Sequence, residues 1–240
     1  MRKLLLMAVC LGTAFVTTVT GASSDIVSWG LSYHKDGTTP SVSTLGAQLL
    51  NQYDGMYVGD TNQKQVYLTF DLGYEAGYTA AVLDLLQEYQ IKGLFFVCGN
   101  YLKQTELMAR MEKEGHQIGN HTDKHKDLPK LDEAGIRKDL TDLHLPKPAK
   151  FFRPPQGRFD EKTLRVAKEV GLRAVLWSVA IVDWKKSPRL NVKACTQKIL
   201  ERVHPGAIML FHITNAGTPD MLRTLIPALQ AQGYSFGVLE

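Results

Sequence analysis

The chain is poor in cysteine, with three in 240 residues, at positions 10, 98 and 195. Cys10 falls in a segment that reads as removable, and the two that remain are too few for a disulfide framework. Cys98 closes the apolar run Gly93–Cys98 and Cys195 falls on an expected helix. Both are expected as separate buried thiols, with a single bridge between them as the alternative; the spacing of neither suggests a metal site or a nucleophile. A run of about 20 apolar residues, the length of a bilayer span, is also missing. Leu4 to Val16 gives 13 uncharged residues behind Arg2 and Lys3 and ahead of the small residues Thr20-Gly21-Ala22. That layout reads as a secretory signal over residues 1–22, so the protein is expected outside the cytoplasm; an uncleaved membrane anchor is the alternative. An excess of charge of one sign is lacking too. Net charge is +4, and without Arg2 and Lys3 it is 26 basic against 24 acidic residues, or +2. Such a body offers nucleic acid no electrostatic footprint. No glycine-rich phosphate fingerprint follows the first strand, and there is no repeat or low-complexity tract.

What is present is ordinary globular composition, 44% hydrophobic and 22% charged, in a chain long enough for one sizeable core. Residues 23–64 are polar and turn-rich, with one short helix expected near Leu45–Leu50, and read as an N-terminal wrapping arm. From residue 65 to 240 apolar runs alternate with amphipathic segments. The strand candidates are 66–70, 93–98, 116–120, 150–152, 173–182, 207–211 and 234–238; helices are expected near 78–90, 103–114, 132–143, 160–170, 192–203 and 219–232. The alternation predicts an α/β fold with a parallel sheet. Asp71, His121, Arg153, Asp183 and His212 each stand at the end of a strand candidate. Carboxyl ends of parallel strands share one rim, where active sites form. This recurrence favours a distorted (β/α) barrel of about seven parallel strands over an open doubly wound sheet.

His121 and His125 are four residues apart, which on a helical turn puts both imidazoles on one face, within reach of one Zn²⁺ or similar ion. In Arg153-Pro154-Pro155-Gln156-Gly157 two prolines stiffen the backbone after an arginine suited to holding a carboxylate. Asp183 and His212 each leave an apolar run, and an aspartate beside that histidine would orient it and favour the protonated form that a general acid needs.

In that order TFDLG, HTDKH, RPPQG, VDW and LFH resemble the five motifs of the polysaccharide deacetylases, carbohydrate esterase family four, over about residues 65–238. More particularly, TNQKQVYLTFDLGYEAGYT, LWSVAIVDWK, HPGAIMLFH and the arm's VSWG and MYVGD resemble the peptidoglycan N-acetylmuramic acid deacetylases that prepare muramic δ-lactam in spore cortex. The resemblance implies a metal-dependent hydrolase that removes N-acetyl groups from muramic acid in peptidoglycan glycan strands, acting as a monomer without a stable protein partner. Deacetylation of N-acetylglucosamine in peptidoglycan or a chitin-like polymer is the nearer alternative, and a wall-binding pseudoenzyme the more distant one.

By motif position the resemblance makes Asp71 the catalytic base, held by Arg153, and His212 the acid, oriented by Asp183. His121 and His125 become ligands of a divalent ion, expected to be Zn²⁺. Leu72 stands where the family usually has a second aspartate as metal ligand, so water, substrate oxygens or Asp71 would complete the set, ahead of Asp123 and Glu75. Gln156, Arg158, Trp184, Leu210 and Tyr74 are implied as substrate-binding, with Arg158 the residue to meet the lactyl carboxylate of muramic acid. His116 matches a recurrent family histidine but reads as structural.

Overall fold

Strand β2 (Gln65–Leu72) has every residue after Gln65 buried, as expected for a central strand of a parallel sheet covered on both faces. The computed structural model describes residues 25–34 and 36–240; the expected signal segment, with Cys10, lies outside them. Around β2 are β3 (Leu94–Val97), β4 (Gln117–Asn120), β5 (Phe151–Phe152), β7 (Arg173–Ala174), β8 (Val179–Ala180) and β9 (Ile208–His212). All pair in parallel in the order β7-β5-β4-β3-β2-β9-β8, and β10 (Ser235–Phe236) pairs with the start of β2. This is a seven-stranded parallel sheet curled into a half-barrel. Helices α2 (Thr79–Glu88), α3 (Thr105–Lys113), α4 (Glu133–Thr141), α5 (Glu161–Glu169), α6 (Val192–Leu200) and α7 (Thr218–Ala231) provide the crossovers.

The period-2 alternation of a strand sorts its side chains between two cores. On β2, Val66, Leu68, Phe70 and Leu72 pack with Val82, Leu86, Met108, Leu222 and Leu225 of the helices. Tyr67 faces the other way, into a smaller cluster with Leu94, Phe96, Phe151, Val175 and Ile208. A third cluster joins α1 (Thr44–Gln52) of the arm to α4 and α5 through Leu49, Leu50, Ile136, Leu140 and Leu164.

One expected strand is not one strand. Residues 173–182 begin at one edge of the sheet as β7 and end at the opposite edge as β8. Between them the Val175 N–H donates to the Phe152 carbonyl and the Ser178 N–H to the Ile208 carbonyl, so the segment crosses the open side of the half-barrel. The arm closes the same side: the Met56 N–H donates to the Ala174 carbonyl and the Gly59 N–H to that of Gly206. The arm also forms β1 (Val27–Ser28), antiparallel to β6 (Arg158–Phe159), and the Trp29 indole N–H donates to the Trp177 carbonyl at 2.9 Å. Among the described residues no helix is long and apolar enough to cross a membrane.

Gly119 on β4 has no room for a side chain, since a Cβ there would lie 2.6 Å from the Phe96 ring. Gly119→Ala is therefore expected to cost about 1–3 kcal/mol through overpacking. The shift of the urea midpoint at constant slope measures it; an unchanged midpoint would mean that the Phe96 ring has somewhere to go.

Candidate active site

Ladder register decides which side chains meet. Asp71 pairs with Phe96 on one side and His212 on the other, and Phe96 pairs with Gly119. Two residues further on, Cys98 and His121 follow β3 and β4, and Arg153 follows β5 at the same level. Neighbours in register share a face, so Asp71, Cys98, His121, Arg153 and His212 all belong to one side of the sheet. Leu72 pairs with Val97 and belongs to the other, in the core against the helices.

Arg153 is fully buried, and a buried guanidinium must find partners for its donors. Its Nη1 donates to Asp71 Oδ1 and to Thr69 Oγ1, each at 2.9 Å. Nε donates to the Val175 carbonyl and Nη2 to that of Leu176, both on the crossing segment. The guanidinium carbon also lies 4.2 Å from the centre of the Phe96 ring. Burial alone would raise the Asp71 pKa, but the charge of Arg153, with those of His121 and His212, outweighs it and holds the carboxyl below its ordinary value.

His121 Nδ1 lies 2.8 Å from the Arg153 carbonyl, which can only accept. The ring proton is therefore on Nδ1, and Nε2, 3.6 Å from Asp71 Oδ2, carries the lone pair. Burial depresses the imidazolium to a pKa of about 4, so the ring is neutral at physiological pH. The His125 ring stands 4.9 Å away, centroid to centroid. The spacing predicts a helical turn here, yet the segment is a loop, with Thr122 at φ 65° and His125 at φ 52°. Such values are rare away from glycine, most of all for a β-branched residue. Side-chain bonds hold them: the Thr122 N–H donates to Asn120 Oδ1, the His125 N–H to Thr122 Oγ1, and the Lys124 N–H to Asp139 Oδ1.

Cys98 belongs to this cluster, contrary to what its spacing suggests. Its Sγ and one ring nitrogen each from His121 and His125 lie within 4.8 Å of one another. Both cysteines are free, as expected, but only Cys98 is buried, Cys195 being half-exposed on its helix; burial raises the Cys98 thiol to a pKa of about 12. Two imidazoles and a sulfur, one imidazole already fixed as the neutral tautomer through a backbone carbonyl, form a donor set that suits a divalent transition metal. Asp123 sits at the cleft but pairs with Lys124 at 2.9 Å. Glu75 is turned to the start of α2, accepting from Thr79 Oγ1 and the Tyr101 hydroxyl.

Across the site Asp183 accepts twice from His212, from the backbone N–H at 2.7 Å and from Nδ1 at 2.8 Å. His212 Nε2 is left for the cleft. Burial would lower the His212 pKa, but the hydrogen bond and charge of Asp183 outweigh it and hold it above the ordinary value. Burial pushes Asp183 upward in turn, partly offset by the same bond.

These groups open into a cleft of about 990 Å³ whose lining includes Tyr74, Gln156, Trp184 and Leu210, as expected. The Trp184 ring is 5.8 Å from that of His212, and Gln156 sits at φ 60° in the turn after the prolines. Trp29, Trp177, Asn100, Lys103 and Lys124 also line it, and the sequence marked none of them. Arg158 does not: its Nε donates to Asp127 Oδ1 at 3.0 Å and its Nη1 to Ser28 Oγ at 3.2 Å, which keep it on the β1–β6 ribbon. His116 lies away from the cleft, where Nδ1 accepts from the Gly93 N–H.

The polysaccharide deacetylase family model matches residues 58–175. The peptidoglycan-N-acetylmuramic acid deacetylase PdaA of Bacillus subtilis is 37% identical over 88% of this chain and 83% of its own length. The solved structure of that protein, a family 4 carbohydrate esterase, superposes with a TM-score of 0.84 over 88% of this chain and 94% of that one. A peptidoglycan-N-acetylglucosamine deacetylase of Bacillus cereus is 35% identical over 79% of this chain and 72% of its own. A CE4 family pseudoenzyme from Bacillus anthracis is 27% identical, with a TM-score of 0.71 over 76% of this chain and 66% of that one.

Asp183→Asn keeps the shape of the dyad but removes the charge that favours the imidazolium. The His212 titration, followed by NMR of the ring protons, is expected to move to lower pH. In the wild type, stabilisation from the raised pKa is fully present below the unfolded imidazole value, about 6.5. It is lost as pH rises through the folded value. Thermal stability should therefore fall across that window more in wild type than in the variant; equal slopes would remove the dyad as the cause.

Proposed function

The chain belongs to the polysaccharide deacetylase family, and on that premise we propose that it is a secreted, divalent-metal-dependent enzyme that removes the N-acetyl group from N-acetylmuramic acid in peptidoglycan. In this reading residues 1–22 direct export, residues 65–240 form the catalytic domain, and the arm of residues 23–64 completes its cleft. The observation that carries it is the meeting of two ion-paired dyads, Asp71 with Arg153 and His212 with Asp183, beside a His–His–Cys donor cluster.

His121 and His125 would hold the metal, which when bound polarises an acetyl carbonyl and lowers the pKa of water. Asp71, kept ionised by Arg153, accepts the proton of the attacking water. Arg153 has no freedom to leave, so the carboxylate meets the water in one orientation. The backbone N–H of Gln156 faces the developing oxyanion. His212, protonated through its contact with Asp183, delivers a proton from Nε2 to the departing amine. Leu210 and Trp184 wall the acetyl group, and the exposed faces of Tyr74 and Trp184 offer stacking surfaces for sugar rings.

A second reading, deacetylation of N-acetylglucosamine, has one observation in its favour. Arg158, the cation expected to select the lactyl carboxylate, is engaged by Asp127. A muramic acid preference then rests on Lys103 in the cleft, since Lys124 is paired with Asp123. The pseudoenzyme alternative has little support, because both dyads are intact and a binder needs neither.

Mass spectrometry of peptidoglycan digests after incubation with the mature protein decides between them. Loss of acetyl from muramic acid is expected; loss from glucosamine alone would replace the first reading with the second. Asp71→Asn is expected to lower the rate by about 10² to 10⁴, the usual worth of a general base. Turnover near that of wild type would exclude Asp71 from the mechanism.

A further inference from the structure

We propose that Cys98, just past β3, is the third protein ligand of the metal in place of a carboxylate on β2: a bound divalent ion would displace the thiol proton to solvent and take the thiolate. The inference deepens the metal-assisted reading above and rests on it. Its ground is the register of the sheet. Leu72 pairs with Val97 and packs among the helices, so the residue after the base offers the site no donor. Cys98 is the next residue along β3, and its N–H donates to the Leu72 carbonyl at 3.0 Å. One step further along the adjacent strand reverses the face, which brings the sulfur to the side of Asp71 and His121.

The sulfur has little else to do there. It is buried, unbridged, and its one polar contact among the described residues is a long 3.4 Å approach to the His121 carbonyl. The loop that carries His125 is pressed against the same turn. The Gly99 N–H points at the carbonyls of Thr122 and Asp123, and a Cβ on Gly99 would lie 1.8 Å from Asp123 Oδ1. Glycine after the cysteine is what lets the histidine loop come this close.

Zinc holds sulfur and nitrogen ligands at about 2.0–2.3 Å. Donors spread over at most 4.8 Å can close around such an ion by side-chain rotation, without moving a strand. Asp71 is then not needed as a ligand and stays free as base, with one oxygen on Arg153. Net charge equals that of a site with two histidines and one carboxylate, but the donor is softer. Thiolate favours zinc, cobalt and similar ions over magnesium and manganese.

The test reads the bond to sulfur directly. Wild type, stripped with chelator, is titrated with Co²⁺ and followed in the near ultraviolet, where thiolate-to-cobalt charge transfer absorbs. Wild type and Cys195→Ser should show the band at one equivalent; Cys98→Ser and Cys98→Ala should lack it. Both Cys98 variants should also bind Zn²⁺ at least about 100-fold more weakly against a competing chelator, the upper figure for losing a mere outer-shell partner. Cys98→Ser is nearly isosteric, and far-ultraviolet circular dichroism reports whether each variant folds. Tight Co²⁺ binding by wild type with no band, or Zn²⁺ affinity unchanged in folded Cys98→Ser, overturns the proposal while the metal-assisted reading stands. No binding by wild type overturns both.

Discussion

The buried ion pair between Arg153 and Asp71 is the constraint from which the site and much of the fold follow. A guanidinium at zero exposure is tolerable only when its donors are satisfied, and here β2 and the segment after β7 satisfy them. The same residue therefore fixes the Asp71 carboxylate, anchors the chain that crosses the half-barrel and, through its own carbonyl, sets the tautomer of His121. Removing one partner of such a pair strands the other, which typically costs about 3–5 kcal/mol. Chemistry and architecture cannot be varied independently at this position.

Electrostatically the site keeps its two proton-transfer groups apart in role. The Arg153 cation shifts Asp71 toward its ionised form and the Asp183 anion shifts His212 toward its protonated form, although both stand on adjacent strands in register. Opposite shifts of a carboxyl and an imidazole within one cleft are the pattern that general acid–base chemistry uses.

Much of this was legible in the sequence, for a physical reason. Buried parallel strands are continuous apolar runs, and the polar residues that end them fall on one rim, so Asp71, His121, Arg153, Asp183 and His212 could be read by position alone. The errors share a cause as well. Residues 173–182 have strand character throughout because they stay buried while changing neighbours, which local pattern does not record. His121 and His125 meet through left-handed backbone rather than a helical turn, and neither residue type announces that conformation. Cys98 stands at a strand end like the others, but spacing along the chain carries no sign of a donor cluster whose other members follow a neighbouring strand. Trp29 and Arg158 depended on where the arm docks, and only the register of β1 on β6 decides that.

That arm has a consequence for how the protein comes to be. Trp29 reaches its partner Trp177 across 148 positions of sequence, and Gly59 waits for Gly206. The arm settles against elements that follow it by about a hundred residues or more. Closing loops of such length is entropically slow and adds to contact order. A nascent chain would thus hold an unfinished cleft until nearly its whole length is free to fold. Catalytic competence arrives in a single late step rather than growing with the chain.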